Sequence, residues 1–191
     1  MSGIDSGINW PLTQRAILEW LRKSTGITVA WTKQKKKPQD AKPFASLWLL
    51  GRLRRVEGDV ITKKWNAQTQ LIDRTVTGQR EFTVQAEVFT DDATPTGHAM
   101  SVLAKAQTAL RMPEFIKALA DSGVAIVADD PIADLSAIAG EGWESRASMD
   151  VVFRITMKAP AKSVPAIANV RRQLNLQTGN DGQPIVVPKP D

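Results

Sequence analysis

The chain of 191 residues has no cysteine, no tyrosine and a single histidine, His98. Without cysteine there is no disulfide framework, thiolate zinc site, iron-sulfur cluster or cysteine nucleophile. One imidazole per chain rules out a histidine-rich metal centre and leaves a serine triad a single base, yet nothing beside His98 supplies a Ser-His-Asp pattern. The glycines at 51, 58 and 78 are scattered and form neither a phosphate loop nor a dinucleotide fingerprint. No acidic run has EF-hand spacing. No apolar window approaches eighteen residues, and MSGIDSGINW lacks a basic region followed by an apolar stretch, so neither a membrane span nor a signal peptide is expected.

What is present is a core's worth of apolar residues and a divided charge. The hydrophobic share is 42%, with six Trp and five Phe, enough for one domain or a domain with an arm. Residues 1–80 hold fifteen Lys/Arg against six Asp/Glu, residues 81–160 six against twelve, and residues 161–191 four against two. The overall +5 would invite a nucleic-acid reading. A basic first half and an acidic second half fit equally well a protein whose copies meet through opposite surfaces.

Periodicity predicts an amphipathic helix over Pro11 to Lys23, with Ile17, Trp20 and Leu21 on one stripe, then a strand from Ile27 to Trp31. Lys33 to Lys42 reads as a polar loop whose Lys33, Lys35, Lys36 and Lys37 require solvent or an anionic partner, DNA included. Pro43 to Val56 begins as a strand and becomes basic at Arg52, Arg54 and Arg55, as expected of a hairpin arm, about residues 50–78, projecting from the core. Gly58 and Asp59 are its expected turn, with Lys63, Lys64 and Trp65 exposed beyond it.

Glu81 to Phe89 alternates strictly, placing Phe82, Val84, Ala86 and Val88 inward. Turn chemistry follows at Asp91 to Thr96, then a helix from Gly97 to Arg111 with Met100, Leu103, Gln107 and Leu110 on one side. A short helix at Pro113 to Ala120, a buried strand at Val124 to Val127, a loop or helical turn at Asp130 to Gly142 and a strand at Trp143 to Met157 complete the pattern. Five tryptophans, at 10, 20, 31, 48 and 143, are assigned to the core by default; Trp65, between Lys64 and Asn66, is assigned equally to a partner contact. The fold class is α+β, a mainly antiparallel sheet packed by two or three helices. The expected boundaries are a flexible N-terminus over 1–8, the α+β domain over 9–160, an additional strand or interface segment over 161–176 and a Pro/Gly-rich tail over 177–191.

Acidic pairs at Asp91-Asp92 and Asp129-Asp130 would suit a divalent ion if the fold converged them, but each sits among turn-forming residues and no catalytic Lys or His accompanies them. The residues therefore favour a non-enzymatic protein without a cofactor. A basic nucleic-acid module stands as the alternative, and a metal-dependent nuclease behind it.

The order of several short segments carries more. An amphipathic first helix, Lys42-Pro43-Phe44-Ala45 entering a long strand, Phe82-Thr83-Val84-Gln85 before a helix preceded by Asp91-Asp92-Ala93, and Trp143-Glu144-Ser145-Arg146-Ala147 entering Asp150-Val151-Val152-Phe153 follow one another at set intervals. In this order the chain, over about residues 10–175, resembles the phage neck or tail terminator proteins of long-tailed phages. The resemblance implies a subunit of a homohexameric ring around the DNA passage in the virion, at the tail-neck junction, made in the bacterial host's cytoplasm. Its partners would be the tail-tube protein and a head-completion or connector protein, and DNA would pass without being read. It further implies that Glu144 and Arg146 are structural or intersubunit ion-pair residues and that Asp91 and Asp92 mark the strand-to-helix junction. With Arg52, Arg54, Arg55, Lys63, Lys64 and Trp65, these form the expected interface set.

Overall fold

The structure is a computed structural model that describes residues 7–32, 42–90, 98–139 and 142–165. Its first element, α1 (Trp10–Thr25), starts where the Asn9 side chain accepts the Leu12 N–H at 3.1 Å and Pro11 presets the backbone angle of the first turn. It stops at Gly26, which adopts φ 75° and donates its N–H to the Arg22 carbonyl at 2.9 Å, a left-handed cap that glycine takes without a Cβ penalty. Ile17, Trp20 and Leu21 are buried along the expected stripe.

Among the described residues eight strands form one open, mixed sheet: β1 (Thr28–Trp31), β2 (Phe44–Arg55), β3 (Val60–Asn66), β4 (Leu71–Thr90), β5 (Val124–Asp129), β6 (Ala133–Asp134), β7 (Ala137–Ala139) and β8 (Gly142–Pro165). The main path runs β1-β2-β4-β8-β5, with β3 beside β4 and β6 and β7 beside β8. Among the described residues only β1 and β2 pair in parallel, so the sheet is mainly antiparallel as expected. Helices α1, α2 (His98–Ala109) and α3 (Pro113–Asp121) cover one face.

The core follows from period-two alternation on the two longest strands. Phe82 faces Phe153, Val84 faces Val151, Ala86 faces Met149 and Val88 faces Ala147, all buried. From α1, Trp20 meets the Phe153 ring edge-on at 6.1 Å and donates its indole N–H to the Ala106 carbonyl at 3.2 Å, which joins α1, α2 and the sheet at one point. On α2 the buried residues are Ala99, Val102, Leu103, Ala106 and Ala109, with Leu110 just beyond. Leu103 and Leu110 are thus buried on the expected side and Met100 packs against the core, while Gln107 turns to Asp129. The helix packs on α1 and the sheet together, and the alanines at 99, 106 and 109 give the close approach.

Several sequence expectations change. At about 3.4 Å per residue, the 20 residues of β4 span roughly 65 Å, whereas the 16 residues of α1, at 1.5 Å each, span roughly 24 Å. The central strands therefore outrun their helices, and β4 begins ten residues before the alternation at Glu81 becomes evident. Gly58 and Asp59 do not reverse the chain. They interrupt an edge that continues along β4 from β2 into β3, and the reversal lies at residues 67–70. The region expected as a loop at Asp130 to Gly142 holds β6 and β7, whose residues pair with the start of β8. β5 extends to Asp129 and buries Val124 alone, because it is an edge strand and not an inner one. Trp48 and Trp143 are 45% and 49% exposed, so both leave the core assignment, while Trp20 and Trp31 are buried. Trp10 is partly buried, with its ring edge-on to Phe82 at 5.4 Å.

The junction between β2 and β3 is built around one ion pair. β2 carries two extra residues between Leu50 and Arg54, a bulge in which Gly51 takes φ 53°. The Arg80 guanidinium then holds Asp59 through bonds of 2.7 and 2.9 Å, directly over Gly78, where a Cβ would stand 2.0 Å from the Asp59 carboxylate. Gly78→Ala is expected to displace Asp59, break that pair and speed amide exchange from Val56 to Ile61 while leaving exchange at Val84 and Val151 unchanged. Unaltered exchange across the junction would show that the pair does not hold it.

Candidate functional site

Beyond the helices, β3, the first half of β4 and the last residues of β8 continue as a three-stranded arm. Its strands pair Val60 through Asn66 with Thr77 through Leu71, and Leu71 through Thr77 with Pro165 through Lys158. The hairpin expected over about residues 50–78 is thus replaced by one of β3 and β4 that turns at 67–70, joined by a third strand from β8, which sequence reading ended at Met157. Asp73 ties all three strands, accepting from the Asn66 amide at 2.9 Å and the Ser163 hydroxyl at 2.8 Å.

Those two hydrogen bonds, Asn66 first and Ser163 second, hold the Asp73 carboxyl below the usual aspartate range. Asp59 is likewise lowered, chiefly by its bond from Arg80. A depressed carboxylate contributes stability above its unfolded value, near 3.9, and loses that contribution as pH falls through the folded value. The arm is therefore expected to keep its amide protection from pH 8 down to about 5 and to loosen only below about 4. Loss of protection between pH 7 and 5 would assign the arm's stability to other groups.

The arm is basic and apolar at once. Lys63 and Lys64 are exposed on β3, and Lys63 lies opposite Arg74, which leaves like charges side by side. Val60, Ile61 and Trp65 are 64%, 58% and 52% exposed. Trp65, the tryptophan assigned equally to a partner contact, stands on the arm itself. Arg52, Arg54 and Arg55 are exposed too, but they belong to β2 at the arm's base, where Arg55 comes within 3.8 Å of Asp59.

At the opposite end of β4 and β8 the structure pairs Glu144 with Lys42 and Arg146 with Glu87. Arg146 reaches both Glu87 oxygens, at 3.0 and 2.9 Å, and its guanidinium lies 4.9 Å above the Phe89 ring, which stacks on Phe44 at 4.7 Å. Both residues thus have partners within the subunit. Sequence reading named Glu144 and Arg146 without this Phe44-Phe89-Arg146-Glu87 group. The signal was an acidic residue, Glu87, and an aromatic one, Phe89, alternating on the polar face of β4. At the same end Ile138, 76% exposed, faces Trp143 across β7 and β8.

The remaining expected residues divide in two. Asp91, Asp92, Lys33, Lys35, Lys36 and Lys37 lie outside the described residues. Asp129 and Asp130 do not form an ion site: Asp129 is taken by Arg111 at 2.6 Å and Gln107 at 2.9 Å, and Asp130 points to solvent. Among the described residues no group of three or more His, Cys, Asp or Glu is placed to hold a metal ion. None of the described helices is long and apolar enough to cross a membrane. The concavities are shallow. One of about 210 Å³ lies between α1 and α3, and one of about 320 Å³ lies beside β5 under Leu110, Ile116 and Ala120.

Two chains are among the solved structures similar to this one. One is the sheath/tube terminator of the PVC extracellular contractile injection system in its extended state, at 11% identity and TM-score 0.46, covering 90% of this chain. The present chain spans 65% of that protein's length. The other comes from the virion of a native gene transfer agent particle, at 14% identity and TM-score 0.32, covering 83% of this chain and 100% of that one. No curated protein matches the sequence. The family model of phage neck terminator proteins matches residues 13–180, a span that takes in the helices, the sheet and the arm alike. The chain belongs to the phage neck terminator protein family and is a structural protein of the phage tail and neck.

Proposed function

We propose that copies of this chain close into a homohexameric ring on the last ring of the tail tube, stop its polymerisation and offer a new face to the head-completion or connector protein. The observation that carries this reading is the arm: a basic, aromatic-bearing extension whose Val60, Ile61 and Trp65 the folded core leaves exposed. A terminator must bind the subunit it stops, so it needs an adhesive element that stands clear of its own core. The mechanism is stoichiometric and has no catalytic residue. One surface occupies the site where the next tube ring would add, and the other lacks that site. Six modest contacts act together, since each is made intramolecular by the ring, and weak individual interfaces then hold a stable cap. DNA passes through the channel as a polyanion, with no base readout.

Negative-stain imaging of the purified full chain tests the ring: sixfold particles with a central channel are expected. Monomers that stay separate both alone and on isolated tubes would contradict it. The exposed Lys63, Lys64 and Trp65 side by side also suit a nucleic-acid contact through phosphate pairing and base stacking. That second reading predicts DNA binding by the free subunit that weakens steeply with added salt.

A further inference from the structure

Besides β1, which ends the path next to β2, the described sheet has two unlike edges. On one side β3 pairs only with β4 among the described residues, and its outer edge, Val60 to Asn66, keeps an N–H at every position. The other margin of the arm is different: Pro160 and Pro165 in β8 have no N–H to offer, which blunts that side as a template. On the far side of the sheet β5 pairs only with β8 among the described residues, and Ala125, Val127 and Ala128 are exposed along it. Beside β5 lies the cleft of about 320 Å³ lined by Leu110, Ile116, Ala120 and Val127. Ile116 and Val127 are 46% and 42% exposed there.

The two edges complement each other in charge and shape. Lys63 and Lys64 stand on the β3 side. The β5 side carries four acids, Glu114 and Asp121 on α3 and Asp129 and Asp130 at the end of β5, against two bases, Lys117 and Arg111, which are paired to Asp121 and Asp129. The exposed apolar residues of β3 include one large ring, Trp65, and the β5 side holds an apolar cleft with small alanines along its strand. The lysines also oppose pairing of β3 with another β3, because identical basic edges would repel. A contact between two different edges of the same chain is heterologous, the type that repeats around a ring.

We infer that β3 of one subunit pairs along β5 of a second copy and that Trp65 seats in the cleft beside that β5. This contact rests on the ring proposed above and gives it a specific surface. The sheet then continues from one subunit to the next, with main-chain hydrogen bonds supplying affinity and Trp65 fixing position.

The absence of native cysteine makes the test free of background. Thr62→Cys or Lys64→Cys is combined with Ala125→Cys or Val127→Cys in the full chain, alone and mixed with isolated tail tubes, under mild oxidation. All four positions are exposed, so the variants are expected to fold. At least one combination should give a covalent ladder of this chain that ends at the ring size, while each single variant gives none. A dimer from Thr62→Cys alone would show symmetric pairing of β3 and overturn the inference. Rings that assemble without any ladder, or cross-links to the tube protein instead, would overturn it and leave the ring intact. If no assembly forms with or without tubes, the ring itself fails and the contact falls with it.

Discussion

Phe153→Ala is expected to destabilise the subunit by about 3–5 kcal/mol, the range for a fully buried aromatic truncated to alanine in a core that relaxes only in part. Phe153 is 0% exposed and lies where β8 crosses beneath α1, in ring contact with both Trp20 and Phe82. Its removal opens a cavity among α1, β4 and β8 that Met149, on the same face of β8, can fill only in part. Urea unfolding followed by tryptophan fluorescence measures the loss, since Trp20 reports on the same site. A shift under about 1 kcal/mol would mean that the layers repack, and that the β4-β8 face is not the point on which the helices depend.

The second large effect separates folding from assembly. Lys63→Glu with Lys64→Glu changes two exposed residues, so the unfolding free energy should change by no more than about 0.5 kcal/mol. Ring formation, or capping of tubes, should weaken more than tenfold, because reversal places like charges against the acidic side of the neighbouring subunit. The effect should lessen as salt is raised, whereas that of Trp65→Ala, which removes apolar contact, should not. Lys105→Glu, an exposed reversal on α2, serves as the control. Equal assembly by the double reversal and the wild-type chain would remove the arm from the interface.

The sequence disclosed these features unevenly, for physical reasons. Strict alternation revealed the inner halves of β4 and β8, because one buried face makes period two visible: Phe82, Val84, Ala86 and Val88 could face only the core. The outer halves carry no such pattern, since neither face of the arm is fully buried, and Leu71 to Arg80 mixes Asp73, Arg74 and Gln79 with its apolar residues. For the same reason the Gly58-Asp59 pair looked like a reversal when it is a break in a continuing edge. Trp65 was legible from its polar neighbours, whereas Trp48 and Trp143 were not, because their exposure depends on which elements fail to cover the sheet. Glu144 and Arg146 were legible as a motif. Their partners, Lys42 and Glu87, lie 102 and 59 residues away in sequence, and only the fold brings them together. The cleft beside β5 left no trace in the sequence, because it arises from the spacing between α3 and an edge strand.

Tube length measures the central claim most directly. Purified tail-tube protein is allowed to polymerise with increasing amounts of the full chain, and lengths are measured by electron microscopy. Tubes are expected to shorten as the chain is added, to stop growing once one ring per tube end is supplied, and to carry a sixfold cap at one end. Tubes that reach the same lengths with the chain as without it, and show no cap, would contradict the account.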